Sequence, residues 1–127
     1  MPIKIEIIDN KYLLGCYSGK INPDVIVNVR TEVDKDDRIK VTKHHLIDLT
    51  NITQVDLSSK DIKAVAVLNK IFIQKLQNVA VAIVAPTDLT FGLARMWEAY
   101  VGCEGIETFI TRNRDSAEEW INEKINS

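Results

Sequence analysis

Two adjacent hydroxyls, Ser58 and Ser59, stand at the start of the longest helical pattern in the chain. A serine in that place can cap the helix, beside the free N–H groups and partial positive charge of the helix start. With an activating base it could also attack a substrate. The candidate bases are His44 and His45, and neither adjoins the serines in sequence. A catalytic dyad would need the fold to carry one of them across. Adjacent residues of a strand point to opposite faces, so the two histidines cannot chelate one metal together. The acidic run Glu32–Arg38, EVDKDDR, lacks the glycine and distal glutamate of a calcium loop and reads as a solvated helix end or loop. Cys16 and Cys103 are far apart and in no metal spacing. They read as free thiols of a reducing cytosol. The sequence has no glycine-rich phosphate loop, nucleophile elbow or zinc spacing. The expectation is therefore no catalytic residue, no metal and no cofactor.

The elements that must position these groups are legible in outline. The chain has 127 residues, 46% apolar and 27% charged, enough for one domain over residues 1–127 with a real core. Sixteen basic against eighteen acidic residues give a net charge of −2, which offers nucleic acid no attraction. No stretch approaches the roughly 18 apolar residues of a membrane span. The opening MPIKIEIIDN lacks the apolar core of a secretory signal, so a cytoplasmic protein is expected.

The run Val79–Ala85 is apolar on both faces and stops at Pro86, as the central strand of a sheet does. Ile3, Ile5 and Ile7 alternate with Lys4 and Glu6 as a strand. The turn Asp9-Asn10-Lys11 then joins it to Tyr12–Tyr17, ended by Ser18-Gly19-Lys20, to make a hairpin. Asn22-Pro23 opens a helix with Val25, Ile26, Val29 and Val33 on one face. Leu46–Thr50 is the third strand and Asn51–Leu57 a connection. Asp48 shares a face with Leu46 and Thr50. It either nears the strand's exit or is hydrogen-bonded to a turn, the reading preferred here. Ser58 and Asp61 make a near capping box for a helix running to about Gln77. Thr87 or Asp88 caps the next helix, with Leu89, Leu93, Met96, Trp97 and Tyr100 inward and Gly102 as terminator. Ile106–Thr111 is the last strand, and Ser116 with Glu119 forms a capping box for a final helix packed by Ala117, Trp120, Ile121 and Ile125. Alternation of this kind implies an α/β fold with about five strands and four helices, a mixed and mostly parallel sheet, and an N-terminal β-hairpin.

Two places suggest contact with something outside the chain. The long helix has a main apolar face of Ile62, Val65, Ala66, Asn69, Phe72, Ile73 and Leu76, yet Val67, Leu68 and Ile71 lie off it. Either a second layer or a partner covers them, and a homodimer through this helix is expected. In Phe91–Tyr100, FGLARMWEAY, Gly92 would let another backbone or a ligand come close. Arg95 could pair with Glu98, brace Asp48 or Asp56 at the strand ends, or face an anionic ligand.

The run Leu46–Ser59, LIDLTNITQVDLSS, resembles the strand and loop of STAS domains, named for sulphate transporters and anti-sigma-factor antagonists. FGLARMWEAY, with the AEEWI of Ala117–Ile121, is similar to a branch of small SpoIIAA-like, STAS/SEC14-type bacterial proteins. The resemblance covers about Ile3 to Ile125. It implies a SpoIIAA-like fold and a binding or regulatory module, not an enzyme, with Asp56, Gly92 and Arg95 as ligand or partner candidates. It further implies that a serine at the helix start is phosphorylated to switch partner binding, which places the switch at Ser58 or Ser59. Lys60 stands where the family pattern has glycine, and Leu57 separates Asp56 from the serines. The SEC14-type side of the resemblance implies the alternative, a carrier or sensor of a small apolar or anionic ligand.

Overall fold

The computed structural model describes residues 3–102 and 104–127, apart from the side chains of Arg30 and Asp34. Cys103, one of the two expected free thiols, lies outside the described residues. Strands β1 (Ile3–Ile8) and β2 (Tyr12–Ile21) are followed by helices α1 (Pro23–Asp34) and α2 (Asp37–Val41). Then β3 (His44–Val55), α3 (Ser59–Leu76), β4 (Val79–Val84), α4 (Asp88–Val101), β5 (Ile106–Thr111) and α5 (Arg114–Ile125) alternate. The sheet runs in the order β1-β2-β3-β4-β5, antiparallel only between β1 and β2. The mixed sheet and its N-terminal hairpin are those expected.

The hairpin turns because Asp9 and Asn10 both take positive φ, 52° and 57°, and the Lys11 N–H donates to the Ile8 carbonyl at 2.8 Å. Two left-handed residues in succession match the twist of the strands they join. Each later crossover leads to the next strand in the same direction. Crossovers of one hand therefore lay their helices on one side of the sheet. One face carries Val79, Val81, Ile83 and Ala85 against Ala66 and Ile73 of α3 and Ala94 and Val101 of α4. The other carries Tyr12, Leu14, Leu46, Ala80, Ala82 and Val84, and α5 alone covers it through Ala117 and Ile121.

Several boundaries differ from the sequence reading. Among the described residues there are five helices, not four, because a short α2 follows the charged run, capped by Asp36, whose side chain accepts from the Arg38 N–H at 2.9 Å. β2 continues past Ser18-Gly19-Lys20, with register shifts absorbed around Gly19, whose φ is 71°. β3 begins at His44 and continues to Val55 paired with β2, so most of the expected connection Asn51–Leu57 is strand. Helix α5 is capped by Asn113, whose side chain accepts from the Ser116 N–H at 3.1 Å, so Ser116 lies inside the helix and the expected Ser116–Glu119 box does not form. On α4, Thr87 is the cap, but Leu89 and Tyr100 are exposed; Thr90, Ala94 and Val101 are the buried residues. The helix turns about 100° per residue, and the face set by Ala94 and Val101 leaves Leu89 on the far side.

Candidate functional site

Four helix starts lie at the carboxyl ends of the parallel strands: α1 after β2, α3 after β3, α4 after β4 and α5 after β5. At the start of α3, Ser58 Oγ accepts from the Asp61 N–H at 3.1 Å, and Asp61 Oδ2 accepts from the Ser58 N–H at 2.8 Å. This is a reciprocal capping box. Ser59, the first helical residue, is exposed, as are Ser58, Asp56 and Lys60. The Asp56 N–H donates to the Ile21 carbonyl at 2.7 Å, which fixes the backbone just before the serines.

On α4, Arg95 is exposed and its Nε lies 3.8 Å from Glu98 Oε1, the surface pairing among the three arrangements considered. Gly92 is exposed, and a Cβ built on it would meet nothing within 4 Å. Among the described residues no hydrogen bond or ion pair joins Gly92 or Arg95 to Asp56, Ser58 or Ser59. Helices α3 and α4 are tied instead by Trp97, whose Nε1–H donates to Asn69 Oδ1 at 2.9 Å. Lys63 of α3 lies 6.0 Å from the centre of the Tyr100 ring. At the start of α4, Arg112 donates to the Pro86 carbonyl and to Asp88 Oδ1, at 3.0 and 2.9 Å, and stacks over Phe91.

The brace at Asp48, one of the three arrangements considered for Arg95, belongs to Arg114. Its Nη1 donates to Asp48 Oδ2 at 2.7 Å and its Nε to Glu118 Oε1 at 2.9 Å. Asp48 also accepts from the Thr50 N–H at 2.8 Å. Its partners are thus a strand neighbour and α5, not a turn as preferred from the sequence. Burial raises the Asp48 carboxyl, but the Thr50 bonds and the Arg114 guanidinium together hold it below the ordinary carboxylate range. Beside them, burial pushes the Cys16 thiol up and the Asp48 charge adds to it, which keeps the sulfur protonated and unreactive. Arg114 was legible only as a charged residue near a helix start, because its partner is 66 residues away.

The histidines stand at the opposite end of the sheet. β3 is twelve residues long, so His44 and His45 at its start lie about 35 Å from the serines beyond its end. No serine–histidine dyad forms. The His45 Nε2–H donates to the Thr42 carbonyl at 2.8 Å, and the ring meets Phe72 edge-on. Burial lowers the pKa of both histidines below the ordinary 6.5. The unfolded chain therefore takes up protons first as pH falls. Stability is fully present above about 6.5 and is lost below it. Thermal melts should give a Tm that falls steadily from pH 7 to pH 5. A Tm that holds level or rises over that interval would contradict the burial of these rings.

Among the described residues no group of three or more histidine, cysteine or carboxylate side chains could hold a metal ion. Among the described residues no helix is long and apolar enough to cross a membrane. No family model and no curated protein matches the chain. Solved structures do. The anti-sigma factor antagonist SpoIIAA in its unphosphorylated form superposes with a TM-score of 0.65 over 95% of this chain and 96% of its own, at 6% identity. The chain has a SpoIIAA-like fold. An uncharacterized protein of the DUF3478 family from Shewanella loihica PV-4, described as having the same fold, superposes at 0.54 over 94% and 91%, at 17% identity. At such identities the likeness lies in the fold. The residues at each site of this chain have to be argued on their own geometry.

Proposed function

We propose that the chain is a non-enzymatic regulatory module that binds a protein partner through the outer face of α3, and that phosphorylation at the start of that helix releases the partner. One observation carries this reading: the exposed serines begin the same helix whose outer side, two turns on, carries an exposed row of Val67, Leu68 and Ile71, at 49%, 43% and 49%. Apolar side chains so placed mark an interaction surface more often than a bare monomer surface. A phosphate adds about −1.5 to −2 charges at neutral pH, enough to reverse the charge where such a partner would begin its contact. The likeness to an anti-sigma factor antagonist whose structure is named for its unphosphorylated form agrees with a switch of this kind.

Ser59 is the better phosphate site. A phosphate on Ser58 would stand between the carboxylates of Asp56 and Asp61 and displace the capping box. A phosphate on Ser59 lies one turn before Lys63, an attractive spacing on a helix, and at the positive end of the helix dipole. Asp56, Gly92 and Arg95 remain candidates for contacts at the rim of the same edge. The alternative, a carrier of a small apolar or anionic ligand, draws less support, because Gly92 opens onto free space and not onto a cavity wall.

The test is fragment mass spectrometry of the chain isolated from its own cells, with and without phosphatase, together with co-isolation by variants. Phosphate at Ser59 or Ser58 is expected, with capture of native partners reduced about tenfold by Ser59→Asp relative to Ser59→Ala, a shift of about 1.4 kcal/mol. Unmodified serines together with equal capture by both variants would refute the switch. Ser58→Ala should lower stability by about 1 kcal/mol through loss of the cap, whether or not the switch exists.

A further inference from the structure

Resting on the reading of α3 as the partner surface, we infer that its occupant is an amphipathic helix whose apolar stripe is bordered by carboxylates. Ala64, Val67, Leu68 and Ile71 are exposed and recur at the three- and four-residue spacing that makes one row along a helix. That row is the form in which one helix receives another. Lysines frame it, Lys63 and Lys70 along one flank and Lys60 and Lys75 near its two ends. Helix α3 carries Lys60, Lys63, Lys70 and Lys75 against Asp61 alone, a net +3 (four minus one) in a chain of net −2. Asp61 is already engaged, in the capping box. Among the described residues no carboxylate pairs with any of the four lysines; the partner seen for Lys63 is the Tyr100 ring. Long lysine stems beside an apolar row extend its greasy surface and present their charges at its rim.

This charge distribution selects among occupants. A second copy docked on the same stripe by two-fold symmetry would set lysine rows against lysine rows, which is repulsive. The homodimer expected from the apolar residues alone is thus opposed by the charges that frame them. An anionic bilayer would meet the lysines, but the outward row of α3 itself is aliphatic and offers no aromatic anchor. A helix edged with glutamate or aspartate satisfies both the row and its borders. The same arrangement explains release. A phosphate on Ser59 cancels the charge of Lys60 and Lys63 at the head of the row and repels an acidic edge.

The experiment uses two synthetic helices of about 18 residues, long enough to hold a helical register when bound. They share one leucine stripe, bordered by glutamate in one and by lysine in the other. The full chain is titrated with each, and backbone amide signals are followed by NMR. The glutamate-edged peptide is expected to move Val67, Leu68 and Ile71, to bind at least about tenfold tighter than its lysine-edged twin, and to weaken as salt is raised. The triple variant K60E/K70E/K75E should reverse the preference; Lys63 is left for its contact with Tyr100. Equal binding of the two peptides, or no movement at those residues, overturns the proposal. So does a concentration-dependent dimer that buries the stripe in sedimentation, or tighter binding to phosphatidylglycerol vesicles than to the glutamate-edged peptide. If Ser59→Asp releases native partners while the triple variant still holds them, the inference about charge fails and the switch stands. If the triple variant loses them while Ser59→Asp does not, the switch fails and the docking chemistry stands.

Discussion

Val81→Asp is expected to leave no folded protein at room temperature. Val81 is 6% exposed, in a strand whose six residues are all buried, and it packs under α3 and α4 with Val79 and Ile83. β4 is hydrogen-bonded on both sides, to β3 and to β5. The nearest titratable group is His45, opposite Val81 on β3, and burial disfavours its charged form; a carboxylate there meets no ready cation and cannot swing to water without parting two strand pairs. The loss combines the transfer of a polar group with an unfilled apolar volume, above about 4 kcal/mol. That is comparable to the whole stability of a small domain, about 5–15 kcal/mol. Far-ultraviolet circular dichroism and urea titration check it. A soluble variant that melts cooperatively near the parent Tm would mean that β4 is not interior.

Arg114→Met should have the next largest effect. The Asp48 side chain is 11% exposed and would be left with its Thr50 bonds alone. Breaking a buried pair typically costs 3–5 kcal/mol. The Arg114 side chain is 36% exposed, so water can replace part of the lost contact, and about 2 kcal/mol is the figure expected. Asp48→Asn combined with Arg114→Met removes both charges and should recover part of the loss, giving a coupling above about 1 kcal/mol in the cycle. Arg95→Met is the contrast: its 3.8 Å surface pair with Glu98 should be worth less than about 0.5 kcal/mol. Urea denaturation of the four variants and the parent decides. Equal effects of Arg95→Met and Arg114→Met would remove any claim that the pair at Asp48 holds α5 to the sheet.

The contrast between the two arginines also marks where sequence reasoning reached and where it stopped. β4 was legible because a strand covered on both faces must be apolar throughout, and the turn at Asp9 and Asn10 because only certain residues accept two left-handed conformations in succession. The cap of α3 was legible because both of its partners lie within four residues. The Asp48–Arg114 pair had no local signature at all. Helix α2 is five residues long, too short for a period to register. At α5 two caps competed at the same three-residue spacing, and the one that lost matched the capping-box pattern better. The first turn, Arg114-Asp115-Ser116, has no apolar residue to signal that the helix had begun. The far half of β3, where neither face is fully buried, kept no alternation strong enough to tell strand from connection. At the candidate site, the exposed row on α3 could be read from its position off the main face. Its lysine border gains meaning only once the helix is known to turn that side outward.

The order of the strands across the sheet is the order in which the ribosome delivers them. No strand has to be threaded between two that are already paired; each arrives at a free edge, and α1 to α4 are laid down beside the strands they follow. The exception is α5, which follows every strand it covers. Until Ala117 and Ile121 emerge, the surface of Tyr12, Leu14, Leu46, Ala82 and Val84 is finished but bare, so the nascent sheet is most adhesive just before α5 arrives. Arg114, at the head of that helix, meets Asp48 on a strand made 66 residues earlier, and so fastens this cover to the middle strand of the sheet.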